Sequence, residues 1–230
     1  MQSWSLLVLS AVLTSGLGLQ VRPDAPADAT FYAISYVETR SSSIKEATEA
    51  LRRYRDASRK ANGSIRFDLF EQIGRPGHFV KVETWRDQQS FDNRDAAIQK
   101  QLLGALESIR ISGYDQRPYK TLTAVSAQGS PDPQAIFVVS HVDIAPNSQG
   151  PPSGPLLTSL AEASRAEPGN VRFDVTQHMM RANHFTVVEV WADQQALDRH
   201  AAAAHTKQYR DDVQPGTGSP LDERAYRRVE

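Results

Sequence analysis

Apolar positions along the chain alternate, switch to helical spacing, alternate again, and then repeat the whole cycle. Residues 31–38 and 136–144 are β-branched and aromatic runs of strand length. Residues 44–60 place Ile44, Ala47, Leu51, Tyr54 and Ala57 on one helical face, and residues 156–166 are the counterpart. Asn62-Gly63 and Pro168-Gly169 stop these helices, because glycine takes the left-handed backbone after a last turn at little cost. Period-two alternation then runs over 65–73 and 171–179. A loop with Gly74, Pro76 and Gly77 turns the first of these into 79–85, so the two strands read as a hairpin. Second helices over 88–109 and 194–212 and short strands over 119–124 and 225–229 close the cycles.

The two cycles are copies. Residues 63–94 align with 169–200 without a gap at an offset of 106. Arg66-Phe67-Asp68 recurs as Arg172-Phe173-Asp174, and Val82-Glu83 with Trp85 recurs as Val188-Glu189 with Trp191. Ile34 to Glu38 resembles Val139 to Asp143, with one-residue slips outside the aligned block. Each copy reads as βαββαβ, the split ferredoxin-like order. The fold class is therefore α+β: two tandem ferredoxin-like domains packed as an intramolecular pair. One copy alone leaves a sheet face wet, and two copies bury those faces against each other. The domains span 30–125 and 135–230, joined by a Gly-, Ser- and Pro-rich linker at 126–134.

Composition narrows the partners. A net charge of −1, with Lys and Arg spread along the chain, gives no basic face for nucleic acid. The absence of cysteine excludes disulfides, thiolate metal sites and a cysteine nucleophile. Residues 6–19 are apolar but too short for a comfortable membrane span. With Ala27-Asp28-Ala29 as a cleavage site, residues 1–29 read as a signal peptide, although residues 1–5 carry no Lys or Arg. The expectation is an exported protein, periplasmic or secreted, with no membrane span after processing. A cytoplasmic or membrane-anchored protein, with 1–29 as a disordered tail or an uncleaved anchor, is the alternative. Association beyond the internal pair stays open.

Residues 185–200 carry Phe185, Glu189, Trp191, Asp193, Ala196, Leu197 and His200, with His205 following and Pro168-Gly169 upstream. This pattern resembles the antibiotic biosynthesis monooxygenase family of dimeric α+β barrels. The resemblance implies a cofactor-independent monooxygenase that oxidises a quinol or phenolic aromatic with O₂ as co-substrate. It implies no flavin and no metal. The other classes are a non-catalytic barrel that binds a small apolar molecule, a structural pseudo-dimer without a ligand, and a haem-binding or haem-degrading relative. The haem-degrading branch uses an Asn on its first strand, and 136–144 contains none.

His200 is the first candidate for the base, since an imidazole takes a phenolic proton near neutral pH. Glu189 and Trp191 share a strand face with Phe185 and Val187. Glu189 reads first as a buried carboxylate paired with Arg172 or Arg224, and second as a base. Trp191 reads first as packing. The candidate catalytic set is His200, Glu189 and Trp191. The candidate substrate contacts are His141, His205, Phe185, Phe173 and Arg94. His205, five residues past His200, falls about 140° further round a helix, a poor spacing for a metal pair. In the first copy Arg94 and Gln99 stand where the second has His200 and His205. The second domain is thus expected to be the active half and the first a degenerate support. Arg94 as a stabiliser of an anionic substrate is the reverse reading. The loop over 146–155 reads as a surface insertion or a lid.

Overall fold

The computed structural model describes residues 30–124, 132–148, 150 and 152–230. The expected signal peptide and most of the linker lie outside the described residues.

The first repeat contains β1 (Phe31–Glu38), α1 (Ile44–Ser58), β2 (Ser64–Gln72), β3 (His78–Trp85), α2 (Gln88–Asp92), α3 (Ala96–Glu107) and β4 (Asp115–Thr123). The second contains β5 (Ile136–Asp143), α4 (Ser153–Arg165), β6 (Asn170–His178), β7 (His184–Trp191), α5 (Gln194–Ala202), α6 (Ala204–Val213) and β8 (Asp222–Arg228). The βαββαβ order holds in both, with one difference: each second helix is two helices. All eight strands form one closed antiparallel barrel in the order β1-β3-β2-β8-β5-β7-β6-β4. The repeats are stitched at two seams, β2 to β8 and β4 to β6. Closure removes the free sheet edges that a single repeat would expose. Among the described residues no helix is long and apolar enough to cross a membrane.

Period-two alternation divides every strand between two cores. On β2, Phe67 and Leu69 face the helices and Phe70 faces the barrel interior. The interior holds Tyr32, Ile34, Phe70, Val80, Tyr119, Phe137, Val139 and Tyr226. Phe70 stacks on Phe137 across the repeats with centroids 4.2 Å apart. The duplicated Arg-Phe-Asp motif has its place here. Asp68 accepts from Arg66 at 2.6 Å, from Arg172 of the other repeat at 2.9 Å and from Arg228 at 3.3 Å. Arg172 also pairs with Asp174. A buried carboxylate facing three guanidiniums is satisfied, and its loss would strand charge in the interior.

Two turns seat the second helices. Gly169 has φ +91°, and a Cβ there would lie 2.6 Å from Ala196 Cβ. Gly63 has φ +84°, and its Cβ would lie 2.4 Å from Ser90 Oγ. Glycine thus lets each turn close onto the first turn of the next helix. Asp87 and Asp193 cap those helices by accepting from the Ser90 and Ala196 amides. The 146–155 insertion is shorter than expected, because α4 already begins at Ser153.

Candidate active site

The second repeat's site lies between β5, β7 and β8 on one side and α4, α5 and α6 on the other. Glu189 and Trp191 extend from β7 toward the helices. Glu189 Oε2 accepts from Trp191 Nε1 at 2.8 Å. The His200 ring lies nearly parallel to Trp191, with centroids 4.5 Å apart and 27° between planes. Phe173 meets the same imidazole edge-on at 5.9 Å.

His200 is held from the other side by Glu167, in the turn between α4 and β6. Its Nδ1 lies 2.6 Å from Glu167 Oε1, and Thr206 Oγ1 lies 3.3 Å from that nitrogen. A carboxylate can only accept, so Nδ1 carries the proton and the neutral ring keeps its lone pair on Nε2. Nε2 lies 3.7 Å from Glu189 Oε2, too far for a hydrogen bond. Burial pushes His200 below the usual imidazole range, with Glu167 opposing. Burial lifts Glu189 to about 7, with the Trp191 N–H pulling the other way.

The expected arginine pairing of Glu189 is not formed. Arg172 sits on the barrel side of β6 with Asp68 and Asp174, and Arg224 bonds Asp222. Among the described residues no lysine or arginine pairs with Glu189. The cause is strand parity: Arg172 neighbours Phe173, so the two side chains leave opposite faces of the sheet.

A pocket opens beside this group. It holds about 340 Å³ of atom-free space, counted out to its open mouth. Val142, Leu160, Val187 and Leu221 give it apolar walls, and Glu189, His200, Thr206 and Glu223 are polar lining. Ser140 and Tyr209 also line it, and both their hydroxyl oxygens are buried without a hydrogen-bond partner. Buried polar groups rarely go unpaired, so two in one pocket mark a place for a polar ligand or water. The enclosed part has room for about one water as it stands.

The other candidates fall elsewhere. His141 faces the barrel interior, on the opposite side of the sheet from the pocket. Its Nδ1 lies 3.0 Å from Thr186 Oγ1, and its ring meets Tyr36 edge-on at 5.3 Å. Burial depresses it to about 4, helped by Arg117 and Arg224. Phe185 lies in the helix-side core but is not part of the pocket wall. Arg94 lies in the first repeat, stacked 3.6 Å from the Phe91 ring centroid and bonded to the Phe91 carbonyl. His205 does converge on the site, against the helical-wheel expectation. The chain breaks between α5 and α6 at Ala203, with φ −63° and ψ 146°. That break swings His205 Nε2 to 2.9 Å from the same Glu167 oxygen that His200 contacts. Sequence reasoning missed Glu167, Ser140, Thr206 and Tyr209. Of these only Glu167 carried a signal, through its place before Pro168-Gly169.

The first repeat's equivalent position holds an ion pair. Lys81 stands at the Val187 position and pairs with Glu83, both fully buried. Tyr54 donates to Glu83 at 3.4 Å, and Trp85 Nε1 donates at 3.3 Å. Lys81 Nζ also lies 4.7 Å from the Tyr54 ring centroid. Ala61 replaces Glu167 at the repeat offset.

The sequence profile of antibiotic biosynthesis monooxygenases matches residues 30–97 and 154–212, one stretch in each repeat. YcnE of Bacillus subtilis (strain 168), a candidate monooxygenase, is 33% identical over 64 residues, which cover 28% of this chain and 67% of that protein. Two solved candidate monooxygenases share the fold. The Fusobacterium nucleatum protein has TM-score 0.77 at 12% identity, over 88% of this chain and 93% of its own. The Lactobacillus acidophilus protein has TM-score 0.70 at 12% identity, over 88% and 95%. An anthrone oxidase-like protein has TM-score 0.66 at 12% identity, over 88% and 92%. The profile match spans more than half of the chain and both of its repeats, so the chain belongs to the antibiotic biosynthesis monooxygenase family.

Proposed function

We propose that the second repeat oxidises a small quinol or phenolic aromatic with O₂, using its own side chains and no flavin or metal. The observation that carries this reading is the orientation of His200. Glu167 fixes the proton on Nδ1, Trp191 fixes the ring plane, and His200, with Nε2 3.7 Å from Glu189, lines a pocket with two unpartnered hydroxyls. A positioned imidazole of this kind is a general base.

In the reaction, Nε2 takes the phenolic proton. The phenolate gives one electron to O₂, and the resulting pair recombines as a carbon–oxygen bond. His200 returns its proton to the peroxo group and then takes the hydrogen from the same carbon as hydroxide leaves. That hydroxide and the imidazolium proton form water. The sum is HO–Ar–H + O₂ → O=Ar=O + H₂O. Ser140 and Tyr209 offer hydroxyls to a substrate oxygen, and Val142, Leu160, Val187 and Leu221 embrace the ring. The enclosed space is smaller than an aromatic ring, so binding requires Leu221 or α6 to move outward. An anthrone, the compound class in the name of one structural neighbour, has the required acidic hydrogen beside an aromatic ring. The first repeat, with Lys81 in its core, supports the barrel and takes no substrate.

The test is turnover under ¹⁸O₂ with chelator-treated protein. One labelled oxygen in the quinone and one in water is the expected result. Unlabelled quinone would mean simple oxidation and would remove the monooxygenase step. The apolar walls also favour a second reading, a protein that holds a small aromatic without turning it over. Saturable binding with no O₂ consumption would select it.

A further inference from the structure

We propose that Glu167, His200 and His205 form a binding site for one divalent ion of the zinc class, and that the bound ion switches the His200 base off. The binding site stands on the cluster's geometry, whereas the switch rests on the reading of His200 as the base.

Three ligand atoms converge from three separate pieces of chain. Glu167 comes from the α4–β6 turn, His200 from the last turn of α5 and His205 from the first turn of α6. Their ligand atoms all lie within 4.8 Å of one another. Two imidazoles and one carboxylate suit Zn²⁺, Co²⁺ or Fe²⁺. Bonds of about 2.0–2.2 Å in a tetrahedron put neighbouring ligand atoms about 3.3 Å apart. Glu167 Oε1 now lies 2.6 Å from His200 Nδ1 and 2.9 Å from His205 Nε2, so those two separations lengthen by less than about 1 Å to admit an ion, while the two imidazole nitrogens, within 4.8 Å of each other, adjust to the same spacing.

Three further observations fit an ion. An outer carboxylate stands near, since Glu189 Oε2 lies 3.7 Å from His200 Nε2 and must come closer to accept from the N–H of a metal-bound imidazole. Access is present, since His205 is 31% exposed. The nearby Arg210 guanidinium is held by Glu223 at 2.9 Å. In addition, the three residues are absent together from the first repeat, where Ala61, Arg94 and Gln99 stand.

The chemistry couples the ion to the base. A metal on His200 Nδ1 moves that proton to Nε2. Nε2–H is a donor and cannot accept a phenolic proton. His205 makes the opposite move, from Nε2–H to Nδ1–H, so both rings stay neutral and no net charge is released.

The test titrates Co²⁺ and Zn²⁺ into the chelator-stripped chain, following the visible Co²⁺ bands and the heat of Zn²⁺ binding. The variants are Glu167→Ala and His205→Gln, the residues that the folded first repeat carries. One ion per chain, with affinity at least about tenfold weaker in both variants, is expected. Equal affinity in the variants, or no binding by the parent chain, overturns the site. On a turning-over substrate, Zn²⁺ is expected to slow O₂ uptake by the parent at least about tenfold, reversibly with chelator. His205→Gln is expected to keep its own metal-free rate. An ion that binds at these residues while the rate is unchanged overturns the coupling. A chain without turnover on any substrate overturns the coupling, and the binding arm decides the site.

Discussion

Lys81 and Glu83 form an ion pair sealed in the helix-side core of the first repeat, where the second repeat has Val187 and an unpaired Glu189. Lys81 for Val187 thus puts a cation where the second repeat has a pocket wall. In the first repeat the carboxylate is neutralised by a cation that also occupies its space. In the second it faces an imidazole, a tryptophan N–H and open volume.

That contrast predicts unequal costs for the same change. Glu83→Gln leaves Lys81 buried without a counter-charge and is expected to cost about 3–5 kcal/mol. Glu189→Gln strands no cation and is expected to cost about 1 kcal/mol or less. Urea unfolding of the two variants makes the comparison. Equal losses would mean that the pair is not what fills the first core.

The Gly169 turn carries Glu167 and supports α5, so it links the two sides of His200. Gly169→Ala combines a left-handed φ with a clash against Ala196 and is expected to cost about 2–4 kcal/mol. Gly74 has φ +78° with nothing near its missing Cβ, so Gly74→Ala is expected to cost about 1–2 kcal/mol. Denaturant midpoints that rank the two in the opposite order would contradict the packing account.

His141 makes folding sensitive to acid. Arg117 and Arg224 face it and depress its pKa, while Asp115 and Asp222 oppose them. Tyr36 and Thr186 complete its surroundings. The folded protein binds this proton near 4 and the unfolded chain near 6.5. The unfolded state therefore holds more protons between these values. The stability contribution is complete above 6.5 and is lost as pH falls through about 4, on the order of 2–3 kcal/mol. His141→Gln is expected to flatten that part of the stability–pH curve relative to the parent. Parallel curves would show that other groups carry the acid sensitivity.

The duplication and the βαββαβ order are legible in the sequence, because period-two alternation and the 106-residue offset are strong signals, and the barrel is what the family resemblance implies. The Glu189–Trp191–His200 face is legible as well. The break at Ala203 is not, for a physical reason. Residues 201–204 are all alanine, the strongest helix former, so no helix breaker marks the end of α5 in the sequence. His205 was misplaced with it. Glu167 was hidden in a turn, where polar residues are ordinary. Strand parity, legible in the sequence, puts Arg172 on the barrel side and away from Glu189. His141 was assigned the correct strand face, but that face lines the barrel interior and not the pocket under the helices.

The most direct test is oxygen uptake by the metal-stripped, flavin-free chain over hydroquinones and hydroxylated polycyclic aromatics, beside His200→Ala. The account predicts uptake with at least one substrate and a loss of about a hundredfold or more in the variant. Uptake that His200→Ala leaves unchanged, or no uptake across the panel, would contradict it.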